Sequence, residues 1–150
     1  MSFPLPDPMR LALDEAIAAA RDDEVPVGAV VTRNGEILAV TRNRMRDDRD
    51  PTAHAEMVAL RTAAAALGSS RLDGCDLWVT LEPCAMCAGA IVLSRIDRLV
   101  FGAPDPKAGF AGSLGDLVRD PRLNHLVSVT SGVLMRESGD LLRAFFRARR

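Results

Sequence analysis

Cysteine is scarce here: three residues in 150, too few for a disulfide framework, so a reducing, cytoplasmic compartment is expected. No apolar run approaches the roughly 20 residues that a membrane-spanning helix needs, and no membrane association is expected. Residues 1–10 lack the basic-then-apolar order of a signal peptide. Charge of one sign is also missing. A net charge of −1 argues against a protein that coats nucleic acid indiscriminately. It leaves room for a local basic patch, and residues 135–150 carry one: Arg136, Arg143, Arg147, Arg149 and Arg150 against Glu137 and Asp140. There is no internal repeat, no low-complexity tract and no second-domain boundary. With 48% hydrophobic and 26% charged residues, the expectation is one globular domain over 1–150, large enough to bury a proper core.

Two short stretches hold the chemistry, His54-Ala55-Glu56 and Pro83-Cys84-Ala85-Met86-Cys87. Zinc favours nitrogen and sulfur ligands in a tetrahedron, and a catalytic zinc keeps three protein ligands plus a water. His54, Cys84 and Cys87 are three such ligands, which implies one zinc per chain. Glu56 is left over as a carboxylate beside the water, where a hydrolytic site needs a group that moves protons. The order His-x-Glu … Pro-Cys-x-x-Cys is recognised as the zinc deaminase signature.

The spacing also predicts local structure. Cys84 and Cys87, at i and i+3, share a helix face, with Pro83 suited to the first helical position. A helix N-terminus then favours thiolate over thiol. His54 and Glu56, at i and i+2, converge only at a helix start, for which Thr52 is the expected cap after Asp50-Pro51. Two helix N-termini should therefore aim at one metal. Other readings remain: a redox Cys-x-x-Cys pair, or a closed structural zinc site with Cys75 or His125 as fourth ligand.

Around these stretches, apolar spacing predicts a helix over 8–21, then strands over 29–32 and 36–41 joined by the hairpin turn Asn34-Gly35. A polar loop, 42–51, delivers the chain to a second helix, 53–67, closed by Gly68. A strand over 76–80 leads into the third helix, 84–94, in which Gly89 is expected to allow a close approach. Strands over 98–102 and 126–131 follow, separated by a Gly- and Pro-rich loop, 103–115, whose length favours function. The last helix spans 135–149, with Leu141, Leu142 and Phe145 facing the core. Helices alternating with strands from Trp78 onward imply parallel pairing, and the hairpin adds an antiparallel pair. The expected fold class is α/β, with three α/β/α layers and a mixed five-stranded sheet between helices.

Beyond the zinc motif, the whole chain resembles the bacterial tRNA-specific adenosine deaminases, whose fold is cytidine deaminase-like. The resemblance runs through Glu24-Val25-Pro26-Val27-Gly28, Asp50 to Glu56, Thr80 to Ala90 and Val100 to Ala103. It continues in Asp105-Pro106-Lys107-Ala108-Gly109, Leu123-Asn124-His125 and Phe145-Phe146-Arg147. Leu93 stands where relatives often carry His, Ser138 where they often carry Cys, and Phe110 replaces a small residue. The resemblance implies hydrolytic deamination of adenosine to inosine at the first anticodon position of tRNA, with Glu56 as proton shuttle. It implies Asn43 as a base-recognising amide and the tRNA anticodon stem-loop as partner. It also implies a homodimer in which both subunits meet the RNA. Asp105, Lys107, Phe146 and Arg147 are the further candidate substrate contacts. Asp105 would accept from a ribose 2′-OH or simply form a turn before Pro106. Two rivals stand beside this reading: a deaminase of free bases or nucleosides such as cytosine, cytidine or guanine, and a non-catalytic zinc-stabilised binding module.

Overall fold

In the computed structural model, which describes residues 7–149, Asn34 and Gly35 both take positive φ, 50° and 80°. That is the backbone of a tight primed hairpin turn. It folds β1 (Gly28–Arg33) antiparallel onto β2 (Glu36–Arg42), with a register shift between Val31 and Thr32. β3 (Cys75–Leu81) pairs antiparallel with the other edge of β1, and β4 (Arg98–Ala103) and β5 (Ser128–Thr130) add in parallel. The strand order is β2-β1-β3-β4-β5. The mixed five-stranded sheet expected from the alternation is present, though β5 is only three residues long. Arg150 of the basic patch, and residues 1–6 of the N-terminal stretch without signal-peptide order, lie outside the described residues.

Alternate side chains of the central strands serve two separate cores, as a two-faced sheet requires. Ala29, Val31, Leu77 and Val79 pack with residues of α2 (Ala55–Leu67) and α3 (Ala85–Leu93). Val30 and Val100 pack on the opposite face with Met9 and Ala12 of α1 (Pro8–Arg21). The last helix, α4 (Met135–Arg147), lies against β4 and β3 and touches α1. The layering is α/β/α. α2 and α3 share one face, and no helix among the described residues is long and apolar enough to cross a membrane.

Helix starts differ from the sequence expectation. α2 begins at Ala55 with His54 as its N-cap, and α3 begins at Ala85 with Cys84 as its N-cap. Thr52 is not the cap, because its hydroxyl donates to Asp50 Oδ1 at 2.7 Å. Pro83 lies outside the helix, because its carbonyl accepts from Phe110 N (2.8 Å) and the segment stays extended. Within the chain nothing approaches Gly89 closely either, since a Cβ there would meet nothing within 4 Å. At the other end of α2, Gly68 takes φ 63° and closes the helix as expected.

The glycine that a close approach does require is Gly28. A Cβ there would lie 1.8 Å from the Ala12 carbonyl oxygen of α1. Gly28→Ala must push α1 off the sheet, and should lower unfolding free energy by about 3 kcal/mol, at the upper end for overpacked sites. Urea denaturation checks this, and Gly89→Ala is the matched control with little or no loss.

Candidate active site

The start of α2 is fixed from a distance. Asn43, at the end of β2 and 4% exposed, accepts from Ala55 N at 2.8 Å and donates to Val25 O at 3.0 Å. Its amide therefore does the work that the His54 side chain, with no capping bond of its own, does not. Thr41 adds a hydroxyl bond to Ala55 O at 2.8 Å. The imidazole of His54 is thereby left free to face inward, and Glu56 follows in the first turn at 4% exposure. The preceding loop is held by buried Glu24, whose carboxylate accepts from Arg46 N at 3.0 and 3.1 Å.

α3 brings the sulfurs. Cys84 is half-buried at the N-cap, and Cys87 is fully buried in the first turn. His54 Nδ1 stands 3.6 Å from Cys84 Sγ and 3.5 Å from Cys87 Sγ. One nitrogen and two sulfurs within 4.8 Å of one another form a group that can hold a metal ion. Two helix N-termini do meet at one point, as the spacing predicts.

Charge in this cluster is uneven. A hydrogen bond from the Cys87 thiol, with further help from His54, holds Cys84 down at about 4, so it is a thiolate at neutral pH. The same bond, together with burial, pushes the Cys87 thiol up. The Cys84 sulfur raises the pKa of His54. Burial pushes Glu56 up to about 7, into the range suited to proton transfer at neutral pH.

Beside the cluster lies a cavity of about 140 Å³ whose walls include Asn43, Met45, His54, Glu56, Asp105 and Ala108. A groove of about 710 Å³ adjoins it, and Leu81 and Asp105 line both. Lys107 and Phe146 are in the groove lining, Phe146 at 47% exposure. Arg147 is exposed on α4 but outside that lining. Asp105 is committed to its own turn: Oδ1 accepts from Lys107 N at 3.0 Å and Ala108 N at 3.2 Å. The turn-forming role is present, and the same residue also lines both the cavity and the groove.

Three groups escaped the sequence reading as site residues. Arg136 and Arg143 line the groove with Phe146. Their spacing from Gly139 and Phe146, at 136, 139, 143 and 146, is a helical face that periodicity alone could have found. Glu82 is buried beside the cysteines and carries no such signal. Arg149, grouped with the basic tail, is instead tied to Asp23 and stacked 3.4 Å over the Phe145 ring. Of the alternative fourth ligands, Cys75 is buried in the main core and His125 Nε2 lies 2.6 Å from Ile96 O, so neither joins the cluster.

Comparison with known proteins agrees with this geometry. The family profile of the MafB19-like deaminases matches residues 6–150. The chain is 51% identical to the tRNA-specific adenosine deaminase of Bacillus subtilis strain 168, over 93% of this chain and 86% of that protein. It resembles a solved structure from work on A-to-I editing by tRNA:A34 deaminases, with a TM-score of 0.87 and 48% identity, covering 90% of this chain and 98% of that one. A guanine deaminase from Nitrosomonas europaea is more distant, with a TM-score of 0.80 and 27% identity, covering 97% of this chain and 85% of that one. A profile match over nearly the whole chain makes it a MafB19-like deaminase, and relatives at about half identity over most of both chains place it in the tRNA-specific adenosine deaminase family.

Proposed function

We propose that this chain, acting as one deaminase domain, converts adenosine to inosine at the first anticodon position of tRNA. The observation that carries the reading is a small cavity, lined by Glu56 and by His54 and Cys84 of the metal-holding group, that shares Leu81 and Asp105 with a groove lined by Lys107, Arg136, Arg143 and Phe146. A free base needs only the cavity. A nucleotide presented on an RNA loop also needs room and cations beside it, for its neighbours and their phosphates.

Zinc is the metal this donor set fits. With Zn–N near 2.05 Å and Zn–S near 2.3 Å, a tetrahedron places nitrogen about 3.6 Å from each sulfur, and the observed separations are 3.6 and 3.5 Å. His54, Cys84 and Cys87 would hold one ion per chain, and it would supply the Lewis acidity that makes water a nucleophile near neutral pH. The net change replaces the amino group on C6 of adenine by oxygen from water and releases ammonia. Glu56 takes a proton from water and delivers it to the ring and the departing nitrogen, which a buried carboxyl with a pKa near 7 does well in both directions. Asn43, whose carbonyl already holds Ala55 N, keeps a second amide hydrogen for the purine edge. The partner is the anticodon stem-loop, the working form a homodimer and the compartment the cytoplasm.

Ammonia release tests the reading. The zinc-loaded protein should act on an anticodon stem-loop bearing adenosine in the first anticodon position and leave free adenosine, cytidine and guanine unchanged. Turnover of free guanine instead would favour the guanine deaminase likeness, and tight zinc with no turnover would leave a binding module. The groove makes its own prediction. Arg136→Ala with Arg143→Ala should weaken stem-loop binding and flatten the dependence of log affinity on log salt by about 1.4, two phosphate contacts at ~0.7 each. Binding measured from low to moderate salt checks this; Arg147→Ala, outside the groove lining, should change the slope less.

A further inference from the structure

Glu82 ends the run from β3 and stands two residues before Cys84, at 2% exposure. No arginine or lysine among the described residues pairs with it. A buried carboxylate without a cation costs several kcal/mol unless hydrogen bonds replace water, and here they do. Oε1 accepts from Asp105 N at 2.9 Å and from the Ser113 hydroxyl, and Oε2 accepts from Ala111 N and Ser113 N, both at 3.0 Å. Burial alone would raise its pKa, but these four bonds outweigh burial and hold the carboxyl below the usual range.

All four donors come from one loop, which contributes Asp105 and Ala108 to the wall of the small cavity. The loop is also laid along the metal segment: Gly109 pairs antiparallel with Cys84, and Phe110 N donates to Pro83 O at 2.8 Å. At Gly109 the backbone rides directly on the carboxylate, where a Cβ would fall 2.3 Å from the Glu82 carboxyl carbon. We infer that Glu82 is a positioning residue, which fastens the 105–113 loop as the wall of the substrate cavity and sets its register against Cys84. Glu82 itself borders that cavity, but with its oxygens filled by protein donors it acts through the loop and takes no part in proton transfer.

Glu82→Gln keeps the volume but turns an NH2 group towards N–H donors. Amide exchange over 105–113 should speed up about tenfold, the scale of one buried hydrogen bond lost, with exchange in α1 and β1 unchanged. The KM for the stem-loop should rise about tenfold, with kcat in saturating zinc held within about threefold. Ser113→Ala, which deletes one hydroxyl donor, should move the same amides and the same KM in the same direction by about threefold. Exchange that rises equally everywhere, or a loop that stays protected, overturns the inference, as does a fall in kcat with KM unchanged. If Glu82→Gln does not accumulate as folded protein, Ser113→Ala decides alone, and no local change in it overturns the inference. The substrate part rests on the deaminase reading. Loosened 105–113 amides in a protein that deaminates nothing would therefore sink that reading while leaving the positioning role in place.

Discussion

Glu56→Gln should keep its metal, its fold and its affinity for the stem-loop while losing deamination by at least about 100-fold, the lower bound for removing a general acid–base group. Position makes this a clean test. Glu56 lies in the first turn of α2, 4% exposed, two residues beyond His54, and it does not belong to the metal-holding group. Glutamine fills the same space and can still hydrogen-bond to water. What it cannot do is accept a proton from water and return it to the leaving nitrogen. Loss of kcat with intact zinc content and intact binding is the expected combination. Normal turnover by the variant would remove Glu56 from the acid–base role.

Cys84→Ser should remove both metal and activity. Cys84 is the cluster's ready thiolate, with its pKa held near 4, and its Sγ lies 3.6 Å from His54 Nδ1. A serine hydroxyl is a hard, protonated donor at neutral pH and a poor replacement for a soft thiolate. Even outer-shell changes cost metal sites about 10–100-fold in affinity, so losing a direct ligand should exceed about 100-fold. Metal analysis after dialysis, alongside single-turnover deamination, checks both halves. In the unaltered protein a chelator should abolish activity and added zinc restore it. Full zinc occupancy with normal turnover in Cys84→Ser would end the metal assignment.

How much of this was legible in the sequence depended on range. The Asn34-Gly35 hairpin, the span of α1 and the Gly68 stop are set by residues within a few positions of one another, and each formed as read. The His54-Cys84-Cys87 cluster was legible for another reason: metal chemistry restricts residue type and spacing so tightly that distance along the chain hardly matters. The misplaced caps show where such rules stop. Thr52 and Pro83 both looked like helix starters, but the true starts were set by Asn43 reaching Ala55, 12 residues on, and by Phe110 holding Pro83. The role of Glu82 could not be read from its surroundings in the sequence, since its donors lie 23 to 31 residues away in a loop without periodicity. The same is true of Glu24 at the other loop, across 22 residues. On the last helix, the groove lining joins Phe146 to Arg136 and Arg143, a helical face that reading Phe146 with its sequence neighbour Arg147 did not bring out.

The proposed reaction takes place at one atom of one nucleotide, and it can be measured directly. The zinc-loaded protein is incubated with a tRNA whose anticodon begins with adenosine, and the product nucleosides are mapped by mass spectrometry. Inosine at the first anticodon position, with every other adenosine unchanged, is the predicted result. A folded, zinc-loaded protein that leaves that adenosine intact while deaminating a free base would contradict the account.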